Sequence, residues 1–201
     1  MDPQQQRADY RVEVPATSVR EVAFWPCADS AYARLDILDL GLPSATLSGL
    51  GPERLSLCDL SIHGLGLTID PPGEMRPSLV QGATCFTWLQ LWDTSPANPY
   101  GVLSLFTLNR MCSVSPRDER LFLGLRFLRF ALGSKREKTL EFRNAQQGGV
   151  PLLARWCDNL LRGAASHEPG HQSGGLDLDN LLDEIEHARR AANSRPDKGT
   201  P

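Results

Sequence analysis

The feature that most constrains the fold is a set of short segments in which every second residue is apolar. The segments 65–69 and 121–127 follow this pattern without interruption. Such alternation predicts strands that turn one face toward a core. Turn-forming Gly, Pro and Ser residues separate further apolar runs at 12–24, 35–40, 55–62, 86–91, 102–108 and 128–130. Leu140 and Phe142 form a candidate extra strand. Several strands at this spacing predict a small antiparallel barrel or sandwich.

One segment changes from strand to helical periodicity. Pro151 occupies a position that is tolerated at the start of a helix, and Gly163 offers a stop. The apolar residues between them recur at helical spacing: Leu152, Leu153, Trp156, Leu160 and Leu161. We therefore predict an amphipathic C-terminal helix that covers one opening of the barrel.

The composition changes after this helix. Residues 163–175 are mostly small and polar, which predicts a flexible linker. Residues 168–198 carry seven acidic and four basic residues, whereas the rest of the chain is balanced at 17 of each. The acidic part also contains a short helical pattern that is marginal alone. We predict a flexible arm at 1–11, a folded domain at 12–163, and a linker with a partly disordered acidic tail at 164–201.

Composition also disfavours several classes of protein. A net charge of -3 argues against a general binder of nucleic acids. No apolar run approaches the roughly 18 residues of a membrane span, and Met1 to Gln6 contain no apolar stretch typical of a secretory signal. Five scattered cysteines without a C-x-x-C pair predict reduced, mostly buried thiols. We therefore expect a cytoplasmic protein.

No pattern in the sequence predicts catalysis or metal binding. A phosphate loop, a nucleophile elbow and paired catalytic carboxylates are not recognisable, and no acid is spaced to orient His63 beside Ser61. Cys58 with His63, and His167 with His171, offer too few ligands for a structural metal site. We interpret the four tryptophans as core residues rather than as a stacking platform for single-stranded RNA: Trp25, Trp88, Trp92 and Trp156.

Two short polar motifs point to a ligand. Arg7 and Arg11 precede the first strand, and a guanidinium group can hold a phosphate through two hydrogen bonds or stack on a base. Asp59 precedes a turn, and its carboxylate can accept hydrogen bonds from the adjacent N–H groups of guanine. Ser61 adds a hydroxyl for a phosphate or base edge, and Gly64 permits a positive φ and close backbone approach. Either motif alone is typical of an ordinary arm or turn, but together they predict a site for an anionic guanine nucleotide.

The segments 7–12 and 59–64 resemble the two signatures of PilZ domains, Arg-x-x-x-Arg and Asp-x-Ser-x-x-Gly. The Leu-Gly-Leu-Arg-Phe segment at 123–127 resembles the late-strand G-x-x-F element of that family, and the predicted helix at 152–161 is similar to its C-terminal helix. The resemblance covers residues 7–163. It implies a mainly β fold, a small six-stranded antiparallel barrel with a C-terminal α-helix, that binds cyclic di-GMP. The implied ligand-binding residues are Arg7, Arg11, Asp59, Ser61 and Gly64.

The resemblance further implies a non-enzymatic bacterial receptor with no metal and no cofactor besides this ligand. Such a receptor would reorder its arm and signal to an unidentified protein partner in motility, biofilm or secretion control. Gln6 stands where some relatives carry a third arginine, which favours one ligand molecule per site. The stretch between the motifs is longer than usual, and we expect an extra hairpin or wide loop around 32–52. The alternatives are an interaction-only PilZ protein and a small barrel that binds single-stranded RNA.

Overall fold

The computed structural model describes residues 10–27, 34–36, 40–47, 54–70, 73–93, 101–131 and 139–162. Arg7 and the rest of the arm before Tyr10 lie outside the described residues. The predicted linker and acidic tail, with His167 and His171, also lie outside them. The predictions for these segments, and the domain boundaries drawn from them, stay predictions.

The described residues form eleven strands, one α-helix and two short 3-10 segments. Six strands have six residues or more: β2 (Val19–Cys27), β5 (Leu55–Leu60), β6 (Gly64–Ile69), β7 (Thr84–Trp92), β8 (Val102–Arg117) and β9 (Arg120–Ala131). The short strands are β1 (Val12–Glu13), β3 (Arg34–Asp36), β4 (Ala45–Leu47), β10 (Thr139–Glu141) and β11 (Arg143–Asn144). The helix, α1, spans Pro151–Leu161, and the 3-10 segments are Ala16–Ser18 and Gly73–Ser78.

Nine of these strands build one antiparallel sheet in the order β1-β5-β6-β9-β8-β7-β2-β4, with β11 beside β9. The sheet curls, because β2 and β4 near one end of this order contact β5 near the other end. β3 and β10 pair as a separate two-stranded sheet. The prediction of a mainly β fold, a small antiparallel barrel with a C-terminal helix, is confirmed in the form of this curled half-barrel. The sheet has nine strands where six were predicted, and six of the nine are long.

The inner face of the curled sheet encloses the larger apolar core. In β6, Leu65, Leu67 and Ile69 are fully buried in this core. Helix α1 turns Leu153 and Trp156 into the same core, as its predicted amphipathic pattern requires. The indole Nε1 of Trp156 donates a hydrogen bond of 2.8 Å to the Trp92 carbonyl at the end of β7. In the described part of the chain, no helix is both long and apolar enough to cross a membrane.

A second apolar core covers the outer face of β2, β7 and β8. It is lined by residues of these three strands: Ala23, Trp25, Phe86, Trp88, Phe106 and Leu108. Leu35 of β3 and Phe142, next to β10, belong to the same core. The extra segment predicted between the motifs therefore supplies β3, which contributes to this cover, and β4, which pairs with β2.

The tryptophans and cysteines follow the predictions to different extents. Trp25, Trp88 and Trp156 are buried, which confirms their interpretation as core residues. Trp92 is half-buried beneath the Arg20 guanidinium, whose central carbon lies 5.4 Å from the ring centroid. All five cysteines are free, but the expectation of mostly buried thiols is only partly met. Cys85 and Cys157 are buried, Cys27 and Cys58 are half-buried and Cys112 is exposed.

Candidate functional site

A bulge in β5 sets the direction of Asp59. Leu57 and Leu60 both pack in the inner core, although residues three apart on a regular strand face opposite sides. The pairing of β5 with β6 shifts between Leu57 and Asp59, which makes Cys58 the extra residue. Asp59 consequently lies on the outer face of the sheet. Bulges often re-aim a side chain beside a functional site in this way.

The Arg11 guanidinium meets the Asp59 carboxylate on this outer face. β1 pairs with β5 so that Val12 is opposite Leu60 and Glu13 is opposite Asp59, which brings Arg11 beside the bulge. Nη1 of Arg11 donates a hydrogen bond of 2.5 Å to Oδ1 of Asp59, across 48 positions of sequence. The side chains are 43% and 28% exposed, respectively. An ion pair this accessible contributes only about 0–1 kcal/mol to folding.

Gly66 provides the space that the Asp59 carboxylate occupies. The two residues are paired directly across β5 and β6. A Cβ atom on Gly66 would lie 2.6 Å from Oδ2 and 2.9 Å from Cγ of Asp59, too close for either group to stay in place. The missing side chain therefore lets the carboxylate lean over β6 while it contacts Arg11. Sequence reasoning did not single out Gly66 as a site residue.

Ser61 closes the turn between β5 and β6. Its N–H donates to the Gly64 carbonyl at 2.9 Å, and its hydroxyl donates to the same carbonyl at 3.3 Å. The Ser61 Oγ also accepts a hydrogen bond of 3.2 Å from the His63 N–H, and Ser61 is only 1% exposed. In this conformation the hydroxyl serves the turn. Its predicted contact with a ligand stays a prediction.

Gly64 does not adopt the positive φ that a glycine permits, since the described glycines with positive φ are Gly41, Gly82, Gly101 and Gly149. The expected close backbone approach does occur, but the neighbour belongs to the protein. A Cβ atom on Gly64 would collide with the Leu125 carbonyl oxygen of β9. Gly64 thus allows β6 to lie close to β9 at the start of the strand.

The backbone of the turn is bonded to two other elements. The Phe127 N–H of β9 donates to the His63 carbonyl at 2.8 Å, and the Val150 N–H, just before α1, donates to the Ile62 carbonyl at 2.7 Å. Gly149 has a φ of +66°, and a Cβ atom on it would lie 2.5 Å from the Ile62 oxygen. The turn is therefore held by β9 and by the start of α1.

The structure brings four of the five predicted ligand-binding residues into one region, and the fifth, Arg7, lies outside the described residues. Arg11 and Asp59 present charged groups on the outer face, while Ser61 and Gly64 shape the turn beside them. No group of three His, Cys, Asp or Glu side chains within the described ranges could hold a metal ion. The arrangement offers a cation, the Arg11 guanidinium, and a hydrogen-bond acceptor, the Asp59 carboxylate, beside a turn. A cation suits a phosphate, and an acceptor suits the N–H edge of a base attached to that phosphate.

Comparisons with known proteins add little beyond this geometry. No protein family model matches the sequence, and no curated protein matches it. Among solved structures, the chain is similar to the crystal structure of the Borreliella burgdorferi PlzA protein in complex with c-di-GMP. The two share 12% sequence identity with a TM-score of 0.35, over 89% of this chain and 60% of that chain. This chain thus spans less than two thirds of that protein's length.

Proposed function

We propose that this protein is a non-enzymatic receptor for cyclic di-GMP. The observation that carries the proposal is the contact between Arg11 and Asp59, which joins the two predicted motifs across 48 positions of sequence. Neither motif specifies the other's location, and the contact depends on the pairing of β1 with β5 and on the β5 bulge. This contact supports a single site on the outer face of the sheet, to which both motifs would contribute.

Each group in this site has chemistry suited to a cyclic guanine dinucleotide. Arg11 would hold a phosphodiester or stack on a guanine, with Arg7 of the arm supplying a second guanidinium. Asp59 would accept hydrogen bonds from the adjacent N–H groups of the guanine edge, since an ionised carboxylate only accepts. Ser61 and Gly64 would hold the turn on which the base rests. Gly66 would leave the room that the carboxylate needs in this position.

On binding, the ligand would replace the contact between Arg11 and Asp59 with separate contacts from each residue to the ligand. In the free protein these two charged groups satisfy each other, and both are partly exposed. Separating such a pair costs only about 0–1 kcal/mol, whereas each charge-assisted hydrogen bond to the ligand would contribute about 1.5–3 kcal/mol. The charged groups are therefore held close to where the ligand needs them at little cost to binding.

We propose that this exchange repositions the arm at residues 1–11. Release of Arg11 from Asp59 would change the surface around β1, and a protein partner would distinguish the two states. The downstream role would then be control of motility, biofilm formation or secretion. An arm that repositions should make cleavage by a protease between Arg7 and Arg11 dependent on the ligand.

Isothermal titration with cyclic di-GMP, with GTP and cyclic di-AMP as controls, tests the proposal. Wild-type protein should bind cyclic di-GMP selectively. Asp59→Asn should lower the affinity, because the new amide donor faces the guanine donors. The matched change Asp70→Asn, at the exposed far end of β6, should leave the affinity unchanged, and His63→Ala should reduce it less than Asp59→Asn does.

Three results would contradict the proposal in different ways. A wild-type protein that does not bind cyclic di-GMP would favour the interaction-only alternative. Salt-dependent binding of mixed RNA oligomers without cyclic di-GMP binding would favour the RNA-binding alternative. Loss of affinity in His63→Ala with full affinity in Asp59→Asn would show that His63, and not Asp59, is the residue of this turn on which binding depends.

A further inference from the structure

Two exposed arginines lie in one cross-strand row with the turn. Gly64 of β6 is opposite Arg126 of β9, and Arg126 is opposite Arg110 of β8. The adjacent row of residues on the same three strands packs inward. Leu65, Leu125 and Met111 all belong to the inner core. The two arginine side chains therefore project from the outer face, on which Asp59 and Arg11 also lie.

The row places like charges against each other. Side chains directly opposite on antiparallel strands have Cβ atoms about 4.5–5.5 Å apart, and like charges in this position destabilise a sheet. Arg110 and Arg126 are both exposed, and neither guanidinium forms an ion pair with any residue in the ranges that the structure describes. A bound anion would remove this repulsion. An isolated surface arginine would need no such compensation.

The surface between the Arg11–Asp59 pair and the Arg110–Arg126 pair contains two buried glycines, because the Asp59 carboxylate lies over Gly66 and the Ser113 hydroxyl lies over Gly124. Asp59, Gly66 and Gly124 form the adjacent row across β5, β6 and β9. Asp59 and Arg126 are thus separated by two strand spacings, about 10 Å, and two residues along the strands. This distance suits a small ring that presents charged groups on opposite sides.

A cavity of about 370 Å³ adjoins Arg110 and is also lined by Cys27, Gly82 and Thr84.

We propose that Arg126, with Arg110, binds the second phosphate of the cyclic dinucleotide whose first phosphate is held by Arg11. This inference rests on the proposed function, and it adds two residues outside both motifs. A cyclic dinucleotide carries two phosphodiesters on one ring, so a site with a single cationic end leaves one of them without a partner. The Arg110–Arg126 pair, on β8 and β9, supplies two guanidinium forks for it on the opposite side of β6 from Asp59.

The test compares Arg126→Gln, Arg110→Gln and the matched charge change Arg54→Gln. Arg54 is exposed at the start of β5, roughly 16 Å along the strand from Asp59. Titration with cyclic di-GMP at low salt should show affinity about tenfold to a hundredfold weaker for Arg126→Gln, with a smaller loss for Arg110→Gln. Arg54→Gln should bind as wild type does. The losses should shrink at high salt, because salt screens exposed charges.

Stability of the ligand-free variants separates binding from a structural role. Removal of either arginine relieves repulsion, so the melting temperature should stay equal or rise. Wild-type affinity in both variants would overturn this inference while the proposed function stands. Weaker binding together with a large fall in melting temperature would also overturn it, by showing a structural role. Absence of cyclic di-GMP binding by the wild type would overturn both proposals, and binding of an acidic peptide that requires Arg126 would then assign the pair to a protein partner.

Discussion

The two ends of the outer sheet face differ in almost every respect. Over β2, β7 and β8 the face is aromatic and covered, with ring centroids 5.5–6.2 Å apart among its residues: Trp25, Phe86, Trp88, Phe106 and Phe142. Over β5, β6 and the first half of β9 it carries Gly64, Gly66 and Gly124 with the charged groups of Asp59 and Arg126. We call these the covered end and the open end. Within the part of the chain that the structure describes, one continuous sheet is therefore stabilised from both sides at the covered end, whereas the outer face of the open end carries the charged side chains of the proposed site.

The largest effect is expected at the covered end. Phe106 is 1% exposed and lies against the rings of Trp25, Phe86 and Trp88. Phe106→Ala should lower the free energy of unfolding by about 3–5 kcal/mol, because it removes buried contacts and leaves a cavity. Urea unfolding would measure this loss. Ligand affinity, measured well below the melting temperature, should stay unchanged, and a parallel loss of affinity would show that the two ends are not separate in function.

Alkaline pH should weaken the enclosed parts of the molecule before it affects the open end. Burial, and next the neighbouring Asp158, raise the pKa of the Cys157 thiol from 9.0 to about 11, and burial also raises the pKa of Cys85. The folded state then keeps protons that the unfolded state loses. Stability is therefore full below pH 9 and falls between pH 9 and 11, by at most about 3 kcal/mol for Cys157.

Unfolding measured across this pH range tests the assignment. Cys157→Ala should reduce the dependence on pH, whereas Cys112→Ala, at an exposed thiol, should leave it unchanged. An identical pH dependence in wild type and Cys157→Ala would remove this thiol as a cause.

Arg11→Ala should lower ligand affinity and leave stability almost unchanged, which is the reverse of the effect expected for Phe106→Ala. Its half-exposed ion pair adds little to folding, so the melting temperature should change only slightly. Affinity for cyclic di-GMP should fall about tenfold to a hundredfold, the cost of losing a charge-assisted contact. We expect Arg7→Lys to weaken binding too, since an ammonium group lacks the planar fork. Unchanged titration curves for both variants would exclude the arm from binding.

The smallest effect is expected for Gly66→Ala. The added Cβ atom would displace the Asp59 carboxylate and so lower ligand affinity by about tenfold, with a modest change in stability. Gly148→Ala is the matched control, because a Cβ atom there meets nothing within 4 Å. Equal affinities for the two variants would mean that the position of Asp59 does not matter to the ligand.

Local patterns predicted most of the elements but not what covers them. The helical period at 152–161 matches α1 within one residue, and the alternation around 65–69 and 121–127 matches β6 and β9. Phe86 and Trp88 lie within a nearly continuous apolar run, and such a run indicates a strand that is buried on both faces. The cover for the second face comes from β3 and β10, which pair across more than 100 residues. Such distant pairings leave no local signal in either segment.

The site was predicted as a set of residues, but its register was not. Leu57 and Leu60 are three positions apart in an otherwise alternating run, and this spacing is the sequence signal of the β5 bulge. With the bulge assigned, Gly66 falls opposite Asp59 and its role follows. The arginine row depends on β6, β9 and β8 lying side by side, which the sequence alone did not establish.

The hairpin of β5 and β6 receives both ends of the described chain. β1 pairs with its first strand, and the Val150 N–H bonds to its turn just before α1 begins. The β1 strand and α1 also contact each other. The two ends of the described chain, Tyr10 and Arg162, therefore lie within a few residues, or one short helix of about 16 Å, of the same turn. A change in the position of this turn would act on both places where the chain continues.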